Sequence, residues 1–351
     1  MGLFTEVATD ISTLKKCTDL RVFISNENNR SSNYYDLSGC TNLEFVFIRY
    51  PTHTAYITLP DTSSRLDEDG RMLGYSVTIV RNYFTQIKGG AAIESLSIDG
   101  AYNVSNANYW KIFDGLKNSS ILREVSLDLR RPDASWGSSS RNVSSSGLST
   151  FGSCPNLERF SWVGDGPDPS LSSFTDISAL TSCLNLEEVS ISGTCVATFP
   201  NFENCTKLKK VEIINSILTD ISNISKLVGL EEVSFQNETI NSFPNLSLSS
   251  RLSKVTVSNC NLVDISNIQK NTSITYLDLS NNSIGNLTGL DKLTSLTYLD
   301  LSINSIKGST PVDNISILNS FRNQILAKDI NVSSNKLDSA EKALISWITS
   351  K

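Results

Sequence analysis

ITYLDLSNNSI (Ile274–Ile284) and LTYLDLSINSI (Leu296–Ile306) are one eleven-residue phrase written twice, 22 residues apart, with two differences. Working back towards the amino terminus, Leu252, Leu230, Leu208 and Leu186 open segments of the form L-x-x-Φ-x-Φ, Φ apolar, at the same interval. A period of this length means a solenoid, because each unit can bury its apolar side only against its neighbours. Within a unit the alternation predicts a short strand with one face buried. Leu277 and Leu279 face in while Asp278 and Ser280 face out, and Val211/Ile213 and Val233/Phe235 repeat the pattern. The ninth position is Asn282, Asn304 or Asn335. There the chain turns out of the strand, and a side-chain amide can satisfy backbone groups that the turn leaves unpaired. Ile221, Ile224 and Leu227 then back the coil. Too few residues remain for a full helix, so this side is predicted to be extended or 3₁₀.

These residues, L-x-x-L-x-L-x-x-N-x-I at 274–284 and 296–306 with Asp-Ile-Ser segments after the turn, resemble the leucine-rich repeat family. The likeness is to its 22-residue, internalin-like class. The resemblance implies an α/β solenoid with a parallel concave sheet, a mostly extended or 3₁₀ convex side and a C-terminal capping helix. It also implies a non-catalytic module that binds another protein or a cell-surface glycan. The pattern is regular over 157–337. Over 1–156 it is irregular: Leu20, Leu43, Gly74, Ile93 and Leu122 open units that carry insertions. With 338–351 as a cap, the sequence reads as one continuous solenoid of about thirteen coils. Thr194, Ser216 and Glu238 stand where asparagine is expected, which interrupts any ninth-position ladder.

The cysteines keep the same register. Cys17, Cys40, Cys154, Cys183 and Cys205 each lie three residues before a unit-opening leucine, which predicts small buried core residues. Cys260 occupies a ninth position and Cys195 a turn. No C-x-x-C spacing points to metal or disulfide, so the thiols are expected to be reduced. A second period of 44 separates Asp176-Ile177-Ser178, Asp220-Ile221-Ser222 and Asp264-Ile265-Ser266, with Phe199-Pro200-Asn201 and Phe243-Pro244-Asn245 between them. Two kinds of outer turn therefore alternate.

The ends read differently. Asp338, with Glu341 three residues later, opens a capping-box helix whose stripe is Ala340, Ala343, Leu344, Trp347 and Ile348. Before it, Thr310-Pro311 marks a helix start with Leu318, Phe321 and Ile325 on one side. At the amino end no comparable cap is visible. Either Leu3, Phe4 and Val7 form an irregular plug, or another chain covers that end.

The net charge of −6 argues against nucleic acid, which needs a basic stripe. MGLFTEVATD lacks a signal-peptide pattern, and no apolar run reaches the roughly 20 residues that span a bilayer. Synthesis in the cytoplasm is expected, with a place in an extracellular particle left open. His53 is the single histidine and lies in no nucleophile motif, so no catalytic residue, cofactor or metal ligand is assigned. Candidate partner-binding residues are Phe45, Phe47, Arg49 and Tyr50, an outward aromatic and arginine patch; Trp136 in a serine-rich insertion; and Tyr276 and Tyr298 on the sheet face. Two functions stay open. One is a binding module that recognises a protein or glycan through its concave face or N-terminal loops. The other is a structural subunit of a larger assembly, such as a virion or surface appendage, docked by its amino end.

Overall fold

Each alternating run becomes a strand, and successive strands stack in parallel. The computed structural model describes residues 2–5, 12–26, 33–49, 54–82, 84–101, 110–130, 143–164, 166, 173–308, 313–326 and 329–349. It divides into two units, Met1–Cys195 and Val196–Lys351.

The described strands of the first unit are β1 (Gly2–Thr5), β2 (Val22–Asn26), β3 (Asn33–Asp36), β4 (Phe45–Arg49), β5 (Thr54–Leu59), β6 (Tyr75–Asn82), β7 (Phe84–Gly89), β8 (Ile93–Ala101), β9 (Glu124–Asp128), β10 (Arg159–Val163) and β11 (Glu188–Ser192). Eight of them form a parallel sheet in the order β1-β2-β4-β6-β8-β9-β10-β11. Strands β3, β5 and β7 form a second parallel sheet that the period did not predict. Its residues nevertheless suit strands. Tyr35, Ile57 and Ile87 stand in register and are all buried, a row of large side chains that a pleated surface accommodates. The two sheets meet where the Phe23 and Tyr35 rings approach to 5.4 Å and the Ser25 and Tyr35 hydroxyls hydrogen-bond at 3.0 Å. Further along, the core fills with stacked aromatics. Trp162 lies 5.7 Å from Trp110 and 4.2 Å from Phe174, and Phe151 packs on Phe113 at 5.2 Å and on Phe160 at 5.9 Å. Phe151 comes from a single helical turn, α1 (Ser149–Gly152).

In the second unit the sheet is β12 (Lys210–Ile214), β13 (Glu232–Gln236), β14 (Lys254–Ser258), β15 (Tyr276–Asp278), β16 (Tyr298–Asp300) and β17 (Ile330–Asn331), again parallel and in sequence order. Inward residues such as Val211, Val233, Val255, Leu277 and Leu299 form one buried row at 22-residue spacing. The opposite side is extended or 3₁₀, as expected, with 3₁₀ turns at Ser222–Lys226, Ser266–Lys270 and Leu290–Lys292.

The 44-residue period has a physical reason. The Asp220 and Asp264 carboxylates accept the N–H groups of Ser222 and Ser266, at 2.9 and 2.8 Å, and so start the 3₁₀ turns. Asp176 does the same for Ser178 in the first unit, at 2.7 Å. The intervening coils are extended, and Phe199 and Phe243 each donate a backbone bond to the aspartate of the next coil, at 2.8 and 2.7 Å.

Both ends differ from the sequence expectation. At the amino end Leu3 and Phe4 form no irregular plug; they lie in β1, paired in parallel register with β2. Val7 lies outside the described residues. At the carboxy end the expected single helix is two short ones, α3 (Ser339–Leu344) and α4 (Ser346–Thr349), after α2 (Asn314–Ser320). The capping box forms: Asp338 accepts the Glu341 N–H at 2.8 Å and Glu341 accepts the Asp338 N–H at 2.9 Å. But Ile345, with φ −116° and ψ 28°, breaks the helix and moves its phase. Leu344, assigned to the stripe, is 63% exposed, while Ile345 is fully buried beside Ile348. Ala340 and Ala343 are also exposed. Helix α2 begins at Asp313, whose carboxylate accepts the Ser316 N–H at 2.9 Å. Thr310-Pro311 lies outside the described residues. Leu318, Phe321 and Ile325 are buried together, as predicted.

Cys17 also departs from expectation, being exposed where the other cysteines are buried. Its counterparts Cys40 and Cys154 donate to a carbonyl one coil back, Leu14 at 3.1 Å and Leu116 at 3.3 Å. No such bond involves Cys17 among the described residues. Burial pushes the thiols up, Cys40 and Cys205 to about 11 and Cys260 to about 12, so they remain protonated filler.

Candidate functional site

A stacked sheet presents its outward side chains in rows, one position per strand, and these rows are where recognition chemistry can sit. In the second unit the first row runs Lys210, Glu232, Lys254, Tyr276, Tyr298. The Lys254 ammonium meets the Glu232 carboxylate at 2.9 Å and lies 5.8 Å from the Tyr276 ring centroid. Tyr276 and Tyr298 stack face to face, centroids 4.3 Å apart and planes 2° apart. Burial, together with the neighbouring Tyr276 and Asp300, pushes the Tyr298 hydroxyl up to about 12.

The turns that follow this face carry two hydrogen-bond ladders. At the ninth position Asn282 accepts the N–H groups of Cys260 and Leu262, both at 3.0 Å, and donates to the Val257 carbonyl at 2.6 Å and the Leu279 carbonyl at 3.0 Å. Asn304 and Asn335 donate in the same way, to Leu279 and Leu301 one coil back. Cys260 takes the donor half of this role through its thiol, to Phe235 and Ser258 carbonyls. Glu238 takes the acceptor half: its two oxygens accept Ser216 N–H and Leu218 N–H, each at 2.7 Å. This carboxylate is 4% exposed, and burial pushes its pKa up to about 7 against the pull of those two N–H groups.

The second ladder was missed in the sequence and lies one position earlier. Asn237 donates to Asn215, Asn259 to Asn237 and Asn281 to Asn259, at 2.6, 2.7 and 2.9 Å. All four have positive φ, between 53° and 60°, a conformation asparagine tolerates better than other side chains. The signal was present, four asparagines 22 residues apart. Ile303 ends the row, also at φ 53° and exposed.

The first unit's face changes character along its length. Phe45 and Phe47 point outward from β4, partly exposed, with centroids 6.1 Å apart and planes at 24°. Val22 and Ile24 of β2 stand beside them in register, also outward and partly exposed, and Arg49 is exposed at the strand end. On the other side the same rows turn to Ser76 and Thr78, then to Ser95, Ser97, Ser126, Ser161 and Ser190. Those serines floor a shallow depression of about 280 Å³, rimmed by Glu124, Arg159 and Glu188. On the rim Arg159 pairs with Glu124, and beside it Arg123 pairs with Glu158 and with Glu94, the last at 3.6 Å.

Of the residues singled out in the sequence, Phe45, Phe47 and Arg49 thus share one strand, and Tyr276 and Tyr298 share one stack. Tyr50 and Trp136 lie outside the described residues. No helix among the described residues is long and apolar enough to cross a membrane.

No known family profile matches the chain, and no curated protein matches it. Solved structures do. An internalin, InlF, from Listeria monocytogenes superposes with a TM-score of 0.52 at 13% identity, covering 95% of this chain and 80% of that one. A chain of the mouse RP105/MD-1 complex gives 0.52 at 14% identity, covering 100% of this chain and 62% of that one. The fold is therefore that of a leucine-rich-repeat protein of internalin-like form, with a parallel sheet, a mostly extended and 3₁₀ outer side and a helical C-terminal cap.

Proposed function

We propose that the chain is a non-enzymatic recognition module that holds a protein partner against the sheet face of its first unit. One observation carries this reading. Val22, Ile24, Phe45 and Phe47 occupy outward positions that serine, threonine or charged residues fill on the later strands of that face. A contiguous apolar patch bordered by an arginine and by polar hydroxyls has the composition of an interface centre and rim. The rest of the face is hydroxyl-rich, with Ser76, Thr78, Ser95 and Ser97 beside the patch, which suits a polar rim. The mouse structure that shares the fold is itself a complex with another protein, which favours a protein over a glycan.

A photo-crosslinking residue placed at Thr78, beside Phe47, tests the proposal in the native source of the protein. The expected result is one dominant crosslinked protein, lost when Phe45 and Phe47 become serine and kept when Tyr276 and Tyr298 become alanine. Crosslinks that survive the double serine variant would overturn it. If the same reagent reports contacts only when placed in β1, the chain is instead a subunit docked by its amino end. Binding on a glycan array that ignores both substitutions would point to a sugar.

A further inference from the structure

Among the described residues, β17, the last strand of the second unit, has an unpaired edge. Within the sheet, Leu279 and Asn281 donate to the Asp300 and Ser302 carbonyls, and Leu301 and Ile303 donate to those of Asn331 and Ser333, all at 2.8 to 2.9 Å. The register makes Val332 and Ser334 the equivalent donors one strand further on. Neither N–H meets a backbone acceptor among the described residues. An uncovered parallel edge of this kind is a template for another strand.

The edge opens into a depression of about 600 Å³ in which the backbone of 329–335 is one side. Its two walls differ in chemistry. Towards the sheet face stand Tyr298, Asp300 and Asp329; towards the core stand Val332, Leu337 and Ile348. A strand laid here would therefore need a cation or polar group on its outward side and an aliphatic group on its inward side. Asp329 follows Tyr298 in the outward row, and its carboxylate makes no hydrogen bond or ion pair among the described residues. Elsewhere in that row the acid Glu232 is answered by Lys254 on the next strand, at 2.9 Å. Among the described residues the row thus ends on an acid that no cation answers. Lys342, on the far rim, opposes more than one added positive charge.

We propose that the β17 edge accepts an extended peptide as an additional parallel strand, with one lysine or arginine beside Asp329 and aliphatic side chains against Val332, Leu337 and Ile348. The backbone carbonyls of the guest accept the Val332 and Ser334 N–H groups, and alternate side chains give the selectivity, as in strand addition generally. The protein's own β14 segment, Lys-Val-Thr-Val-Ser, has the required pattern and supplies a probe. This site is separate from the aromatic patch of the first unit and stands whether or not that patch binds a partner.

The test uses the full chain and the capped peptide acetyl-Ser-Lys-Val-Thr-Val-Ser-amide, with binding followed by titration and by amide hydrogen exchange. At saturation the Val332 and Ser334 amides should exchange about tenfold more slowly, and replacing the peptide lysine by glutamate should weaken binding about tenfold or more. Asp329→Lys should reverse that preference, and Asp329→Asn should weaken the lysine peptide by a smaller factor. The proposal fails if the peptide slows no amide in 330–335, or if Asp329→Lys leaves the preference for lysine over glutamate unchanged in a variant whose other amides exchange as before.

Discussion

The two units build the same coil by different means. In the second, coils of equal length from β12 to β16 put identical positions in register, so the inward strand positions are Val, Ile and Leu apart from Phe235, and the turns are tied by side-chain ladders. In the first, coils of unequal length leave unequal gaps, which Trp110, Trp162, Phe151 and Phe174 fill and a second sheet walls off. Regularity makes a solenoid whose stability is a sum of repeated small terms. Irregularity concentrates stability in a few large side chains, and in this unit the outward positions of β4 carry Phe45 and Phe47.

Four substitutions sharpen this contrast, beginning with the largest effect. Trp162→Ala should destabilise the first unit by about 3–5 kcal/mol, since stacked rings cannot close over the cavity it leaves. Chemical denaturation should show it, and hydrogen exchange should place the loss in β9 to β11. An unchanged denaturation midpoint would mean that the aromatic stack is not the core.

Glu238 is the ladder's weak point, and its effect depends on pH. Its folded pKa, about 7, lies above the ordinary value of 4.5, so the folded state holds the proton more tightly than the unfolded one. The resulting stability is full below pH 4.5 and falls by roughly 3 kcal/mol as pH rises past 7. Glu238→Asn, which restores the side chain that Asn282 uses, should remove this slope and stabilise the protein at pH 8. Denaturation at pH 5 and pH 8 checks it; an undiminished slope would locate the titrating group elsewhere.

Asn259→Ala should cost about 1–2 kcal/mol, because it breaks two ladder bonds and forces alanine into a left-handed conformation. Ile303→Asn should have the smallest effect, a gain of about 1 kcal/mol. It relieves a branched side chain at positive φ and lets the row run on to Asn281. Melting temperatures that move in the opposite directions would separate the ladder from stability.

How far the sequence carried is explained by the same contrast. The 22-residue phrase placed β12 to β16, because every apolar residue in it had one available neighbour. The outward direction of Phe45 and Phe47 was also legible, since alternation around Val46 and Ile48 is a local property. Strands β3, β5 and β7 were not, because an inserted segment such as Thr54–Leu59 has no register until its partners are known. The role of Glu238 was hidden for a related reason: a missing asparagine is visible, but what a carboxylate does in its place depends on burial. Ile345 replaced Leu344 in the core because a single backbone break shifts helical phase, which an unbroken 3.6-residue pattern cannot reveal.

The second unit is a stack of parallel strands, in 22-residue register from β12 to β16 and continued by β17 after a longer coil. Spin labels at Glu212 and Asn331, five strand steps apart, test it by pulsed electron–electron distance measurement, with Cys17 replaced by serine. At about 4.8 Å per step a narrow distribution is expected, centred near 24 Å between the two backbones and broadened only by the label arms. A broad distribution, or one displaced by more than about two steps, would contradict it.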